Sequence, residues 1–223
     1  HHTGIPFIVL VLNKSKVIPG KIRLVKADDY ISKPSPSENI IEVEKLLSVS
    51  QQAENNDAVR IITNDDVIAN GFNLNIPRYF QKEIDGKKLK ELINPIKGSR
   101  IDIPDSGKLI RIRDLSEDKL NFKLDVSNVE ETEFTRSDLK MIDESCLLLA
   151  TRWKTLKPTY FEFSNESIFL NPDILSFKIN EQLVDTAYLI NELHADYVEE
   201  QLNSYRQGAT IPMIRRDDLL EIV

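Results

Sequence analysis

The chain is poor in the residues that specialised chemistry most often needs. It has one cysteine, three histidines and seven glycines in 223 residues. A single cysteine, Cys146, excludes an intrachain disulfide and a zinc cluster built from cysteines. It lies in the apolar run Cys146-Leu147-Leu148-Leu149-Ala150, which suits an inert core thiol. His1 and His2 open the chain, so His194 is the only internal histidine. It falls within an acidic stretch, a poor setting for serine–histidine catalysis, and reads as a surface or partly packed residue. Seven glycines leave little from which to build a glycine-rich cofactor loop, and none follows a strand pattern. No apolar run approaches the ~20 residues of a membrane span, and nothing resembles a secretory signal. The expected setting is cytoplasmic, with no membrane partner. Positive charge is scarce as well. The net charge of -7 argues against a nucleic-acid binder that works by bulk attraction. It leaves room for one that works through a local basic loop, because phosphate contacts need local charge. The acid pairs Asp28-Asp29, Asp65-Asp66 and Asp217-Asp218 read as solvated turns, not as a metal site. Asp143-Glu144 with Lys154 is only loosely shaped like a paired-acid nuclease.

What is present is a pattern of short strands and helices. Hydrophobic residues make up 41% of the chain, enough for a core. Pro6 to Leu12 is a continuous apolar run that suits a strand buried on both faces. Lys21 to Ala27 alternates more weakly and is expected to pair with it as a hairpin. Glu38 to Ser48 has helical spacing at Ile41, Leu46 and Leu47. Asp57 to Thr63 reads as a strand. Thr63 or Asn64 caps a following helix with acids in its first turn. A short helix is expected around Leu89 and Leu92, ended by Asn94-Pro95-Ile96-Lys97-Gly98, and the domain boundary is placed near Gly98. Leu109 to Leu115 reads as an alternating strand, with Arg111 and Arg113 on one face and Ile110 and Ile112 on the other. Ser145 to Thr151 and Ile174 to Ile179 read as apolar strands. Glu181 to Tyr205 reads as one long acidic helix without Lys or Arg, stopped by Gly208. The fold class is α/β (α+β).

One stretch is more specific than composition. Asn73-Leu74-Asn75-Ile76-Pro77-Arg78-Tyr79, inside Ala69 to Phe80, resembles the segment that closes the methylase region in modification subunits of type I-like restriction-modification systems. Thr3-Gly4-Ile5-Pro6 to Lys14 looks like a late strand of the same region. Leu147 to Tyr160 and Gly208 to Ile222 resemble parts of a specificity-subunit target recognition domain. The resemblance implies a fused arrangement. Residues 1–98 would be the C-terminal tail of the methylase region, with strands and short helices. Residues 99–223 would be a DNA target recognition domain, with a twisted β-sheet, one long helix and reading loops. It implies a parent adenine-N6 DNA methyltransferase that uses S-adenosylmethionine. The catalytic loop of such enzymes, Asn/Asp-Pro-Pro-aromatic, holds the flipped adenine. Asn94-Pro95-Ile96-Lys97 and Asn171-Pro172-Asp173-Ile174 have one proline each and no aromatic, so both read as turns. The expectation is a stretch downstream of the catalytic loop, with no catalytic residue and no cofactor of its own. Its partners would be double-stranded DNA and other restriction-modification subunits.

The best DNA-contacting segment is Thr151 to Tyr160, which carries three cations and no acid. Arginine pairs with guanine edges in the major groove, and lysine and threonine hold phosphates. The candidates are Arg152, Lys154, Thr155, Lys157 and Tyr160, with Arg111 and Arg113 lining the same face. The competing reading is a solvated loop with Trp153 as a lid on the core. Arg206, Arg215 and Arg216 flank the helix end and are candidates for phosphate contact, with a solvated role the favoured reading. The rival function is a subunit-assembly module, in which the long helix exposes an apolar stripe to a partner.

Overall fold

The computed structural model describes residues 8–16, 18–35, 38–98, 104–135, 139–206 and 211–223. The chain forms two compact units, His1–Glu83 and Ile84–Val223.

In the first unit the elements are β1 (Lys21–Val25), β2 (Ile31–Ser35), β3 (Glu38–Ile41), α1 (Val43–Ser50), β4 (Val59–Thr63) and α2 (Asn64–Ala69). β1 pairs antiparallel with β4, from Lys21 opposite Thr63 to Val25 opposite Val59. β2 pairs antiparallel with β3. Thr63 starts α2 through a reciprocal cap: its hydroxyl accepts from the Asp66 amide, and the Asp66 carboxylate accepts from the Thr63 amide at 2.7 Å. The sequence signal for this helix start is met. The apolar run is a correction. Ile8 to Leu12 form no strand and are 70% to 83% exposed; Pro6 and Phe7 lie outside the described residues. Burial on both faces requires a central position in a sheet. Among the described residues both sheets of this unit are two-stranded and offer no such position, and β1 takes β4 as its partner instead.

In the second unit the elements are α3 (Leu89–Leu92), β5 (Ile93–Pro95), β6 (Ser106–Ile110), β7 (Glu131–Glu133), β8 (Lys140–Ile142), β9 (Cys146–Ala150), β10 (Thr159–Phe161), β11 (Ile168–Leu170), β12 (Ile174–Ile179), α4 (Thr186–Glu192), α5 (Asp196–Tyr205) and α6 (Arg216–Leu219). One sheet runs β10-β9-β12-β5, all antiparallel. The other runs β7-β6-β11-β8, with β6 and β11 parallel. The central strand is β9, buried along its whole length. Successive side chains of a strand face opposite sides. Leu147 and Leu149 therefore join Ile190, Leu202 and Leu219 of the helical layer. Cys146, Leu148 and Ala150 join Ile110, Ile142 and Ile168 of the second sheet. The result is three layers, helices on sheet on sheet, an α+β architecture.

The compact units divide at Glu83, ahead of the Gly98 turn. β5 pairs with β12, Ile93 opposite Ile179, and the Leu89 amide donates to the Ile222 carbonyl at 2.7 Å. Leu89 to Pro95 thus belong to the second unit.

Two further expectations are corrected. The strand at Leu109 stops at Ile110, and Ile112–Asp114 is a 3-10 turn. The Asp114 carboxylate accepts from the Arg111 amide at 2.7 Å, which removes that donor from any sheet ladder. The single long helix is two helices, α4 and α5, broken around Leu193 to Ala195. The break has a packing reason. Leu189 and Val198 are nine positions apart, which in a continuous helix places them about 180° apart. Leu189, Leu193, Val198 and Leu202 are all buried in one cluster, which an unbroken helix cannot achieve. Gly208, expected to stop the helix, lies outside the described residues.

Candidate nucleic-acid interface

The loop between β9 and β10, Thr151 to Pro158, is clamped at both ends. The Thr151 amide and hydroxyl both donate to the Asp173 carbonyl, at 2.8 and 2.9 Å. The Ala150 amide donates to the Leu156 carbonyl at 2.7 Å. The Ile214 amide donates to the Thr151 carbonyl at 2.9 Å, which brings Arg215 beside the loop. Leu156 is buried at the base.

These clamps sort the candidate residues. Arg152 is about half exposed, with Nε 3.6 Å from Asp173 Oδ1 and a long contact to Met213 Sδ. Lys154 is exposed. Thr155 has a buried hydroxyl without a hydrogen-bond partner among the described residues. Lys157 points inward. Its side chain is 8% exposed, and its ammonium donates to the Ile112 carbonyl at 3.0 Å. Glu117 Oε1 lies 3.7 Å from that ammonium and accepts from the Trp153 indole N–H at 3.1 Å. The Trp153 ring covers the ammonium at 5.5 Å. Trp153 is thus a lid, but over a buried cation and not over the apolar core. Tyr160 lies on β10, half-buried against the helical cluster. Burial raises its phenol above the ordinary range, with Glu181 adding to the effect.

The turn carrying Arg111 and Arg113 adjoins this loop, because Lys157 binds its Ile112 carbonyl. The Ser116 amide also donates to Thr159 Oγ1 at 2.8 Å. Arg111 is half-buried and Arg113 is exposed. The structure therefore gathers Arg113, Arg152, Lys154 and Arg215 at the exposed rim and draws Lys157 and Tyr160 inside. The neighbouring turn around Asp118 adds exposed Lys119 and Leu120. Asp118 ties that turn by accepting from the Leu120 amide at 2.8 Å; this bond, then those from Asn121, hold its carboxyl below the usual range. Nothing in the sequence marked Lys119, because only the fold brings its turn beside the loop. Arg206 is not at the rim. Its side chain is 7% exposed and bonds Glu199 at 2.8 Å. His194 falls in the break between α4 and α5, where burial lowers its pKa; its Nε2 is buried without a partner among the described residues.

Residues 1–88 match the family model for N-6 DNA methylase. This part of the chain is a methylase-related region. It contains the Asn73 to Tyr79 segment, folded as a 3-10 turn at Ile76–Phe80. There the Tyr79 hydroxyl donates to the Asn73 carbonyl at 2.5 Å, and the Asn75 amide donates to Asn73 Oδ1 at 2.8 Å. The Arg60 guanidinium lies over the Phe80 ring at 5.0 Å, which ties the segment to β4. The side chains of the motif hold its own turn together. No curated protein matches the chain.

The two strand-to-helix turns among the described residues of the methylase-related region, at Glu42 and Thr63, contain no glycine. The second is closed by the Asp66 carboxylate. Among the described residues of the whole chain, no helix is long and apolar enough to cross a membrane.

Proposed function

We propose that this chain recognises a DNA sequence on behalf of an adenine-N6 DNA methyltransferase of a restriction-modification system. The second unit reads the target and the methylase-related region links it to the catalytic part. The observation that carries this reading is a juxtaposition in one chain. A region matching N-6 DNA methylase leads into a separate compact unit whose loop carries exposed Arg152 and Lys154 on either side of Trp153, with exposed Arg113 on the adjoining turn. Exposed arginine and lysine on a rigid sheet end suit phosphate and base-edge contacts, and the flat indole suits stacking or wedging. S-adenosylmethionine would belong to the catalytic part of the parent enzyme.

The assembly-module reading asked for an exposed apolar stripe on the acidic helix. Leu189, Ile190, Val198 and Leu202 are buried in the unit's own core, while Leu183 and Tyr188 are exposed. Other subunits of such a system remain partners of the whole enzyme under this proposal.

The test is selection of a bound sequence from a randomised duplex pool, followed by titration of the Arg113→Ala/Arg152→Ala/Lys154→Ala variant. Enrichment of a defined sequence is expected. The variant should bind it more weakly, with a salt dependence shallower by about one for each lost phosphate contact. Failure to enrich any sequence overturns the reading.

A further inference from the structure

A groove of about 450 Å³ opens on the second unit. Ile96, Leu175 and Phe177 contribute apolar lining, and Lys97, Lys140 and Arg216 contribute positive charge. Among the described residues no carboxylate lines it. In a chain of net charge -7, three cations around one groove stand out against the general field. Lys97 and Arg216 are exposed. Arg216 bonds its neighbour Asp217 at 3.3 Å with both side chains more than half exposed, a pair worth little in water.

The groove is built by the backbone. The Ile96 amide donates to the Ser176 carbonyl at 2.9 Å, which continues the β5–β12 pairing to the base of Lys97. Gly98 follows with φ +66. A Cβ there would stand 3.1 Å from the Met141 carbonyl oxygen and 3.2 Å from Lys140 Cβ. Glycine thus lets the Lys97 turn close onto β8 and sets Lys97 beside Lys140.

The groove is also linked to the loop rim. Ile214, two residues before Arg216, is bonded to Thr151. On β12, Ile174 lies opposite Ala150 at the foot of the loop, and Phe177 reaches the groove. Three residues of strand span about 10 Å. That is about three charges along one DNA strand at 3.4 Å of axis each. We infer that this groove takes the phosphodiester backbone of the duplex whose bases the loop rim faces, with Lys97 and Arg216 as phosphate contacts. The inference rests on the proposed DNA-reading function and extends it to a second cationic site.

The experiment compares the full chain with its Lys97→Ala/Arg216→Ala variant on the selected duplex and on unrelated duplex, across salt concentrations. Both side chains are exposed, and a thermal melt checks that the variant keeps its stability. The expected result is a loss of about tenfold at ~0.15 M salt on both duplexes alike, and a salt slope shallower by about two. A Lys97→Arg/Arg216→Lys variant should stay within about threefold of the unaltered chain, since the charge is kept. Unchanged affinity and slope in the alanine variant overturn the groove assignment alone. Competition by inorganic phosphate at constant ionic strength, with duplex binding unaltered by the alanine pair, marks a small-anion site and also overturns it. If the unaltered chain binds no duplex at all, the proposed function fails together with the groove.

Discussion

Lys157 separates two accounts of the basic loop. If the loop acts through all its cations, removing this one weakens DNA binding. If the structure is the guide, removing it weakens the fold. Lys157→Met keeps most of the stem volume and deletes the ammonium. The Ile112 carbonyl, bonded at 3.0 Å, then loses its charged donor and keeps only the Leu115 amide at 3.3 Å, a cost of about 1.5–3 kcal/mol for a hydrogen bond to a charged group. The Trp153 ring at 5.5 Å loses a cation–π contact of about 0.5–1 kcal/mol. The Glu117 carboxylate at 3.7 Å is 60% exposed and adds close to nothing after solvent screening. Against these losses stands relief of the desolvation of a buried ammonium. The net expectation is a destabilisation of about 1–3 kcal/mol, or a fall in Tm of about 4–12 °C for a unit of this size. The assay pairs thermal unfolding, followed by Trp153 fluorescence, with duplex titration well below the midpoint. Affinity per folded molecule should stay within about twofold. An unchanged Tm together with a tenfold loss of affinity would refute the reasoning and restore Lys157 as a DNA contact.

Three other outcomes follow from the second unit. Cys146 is 1% exposed and its thiol is pushed up to about 12 by burial, with Glu144 adding to it; since the thiolate is the nucleophile, thiol reagents at pH 8 should label it only at the rate of unfolding, and prompt labelling of the native chain would contradict the packing. Gly107→Ala places a Cβ 2.6 Å from Phe169 Cε2 and 3.0 Å from Phe134 Cζ, in a ring pair with centroids 4.6 Å apart; overpacking of this kind costs about 1–3 kcal/mol, and an unaltered urea midpoint would show that the rings move aside freely. Glu221 sits between Lys88 and Lys90 at 2.7 Å from each, and these bonds hold its carboxyl below the ordinary range. A depressed carboxyl stabilises the fold above its unfolded value of about 4.3 and loses that contribution as pH falls through the lower folded value. Glu221→Gln should therefore lower the urea midpoint at pH 7 and make less difference in strong acid; an equal difference at both ends would remove the pairing from the account.

Elements whose signal is local were legible. β9 and β12 follow from apolar runs of strand length, and α2 follows from Thr63 and Asp66, three residues apart, each able to bond the other's amide. What could not be read was anything set by a partner distant in sequence. Ile8 to Leu12 has the composition of a buried strand, but burial on both faces depends on neighbouring strands, which composition does not record. The end of the strand at Ile110 is, by contrast, locally set: the alternation continues through Arg111 and Arg113, but Asp114, three residues on, takes the Arg111 amide. The acidic helix has enough apolar residues for one stripe, yet Leu189 and Val198 fall on opposite sides unless the helix breaks.

The loop shows why charge counted along a segment is a poor measure of charge presented to a ligand. Arg152, Lys154 and Lys157 are equivalent in the sequence, three cations without an acid nearby. Folding brings Asp173 to Arg152 and Glu117 to Lys157, from positions far enough away that no local window contains them. Lys154 remains exposed, while Arg113 and Arg215 arrive from other parts of the chain. The groove cations Lys97, Lys140 and Arg216 come from three separate elements and form no run at all. A DNA backbone responds to the positions of charges in space and not to their order in the chain. The useful unit for mutagenesis is therefore the spatial set: Arg113, Arg152, Lys154 and Arg215 at the rim, and Lys97 with Arg216 at the groove. Because phosphate contacts contribute additively to the salt slope, combining the two alanine sets should lower the slope by the sum of their separate effects. A combined variant no different from either set alone would mean that rim and groove do not meet the same duplex.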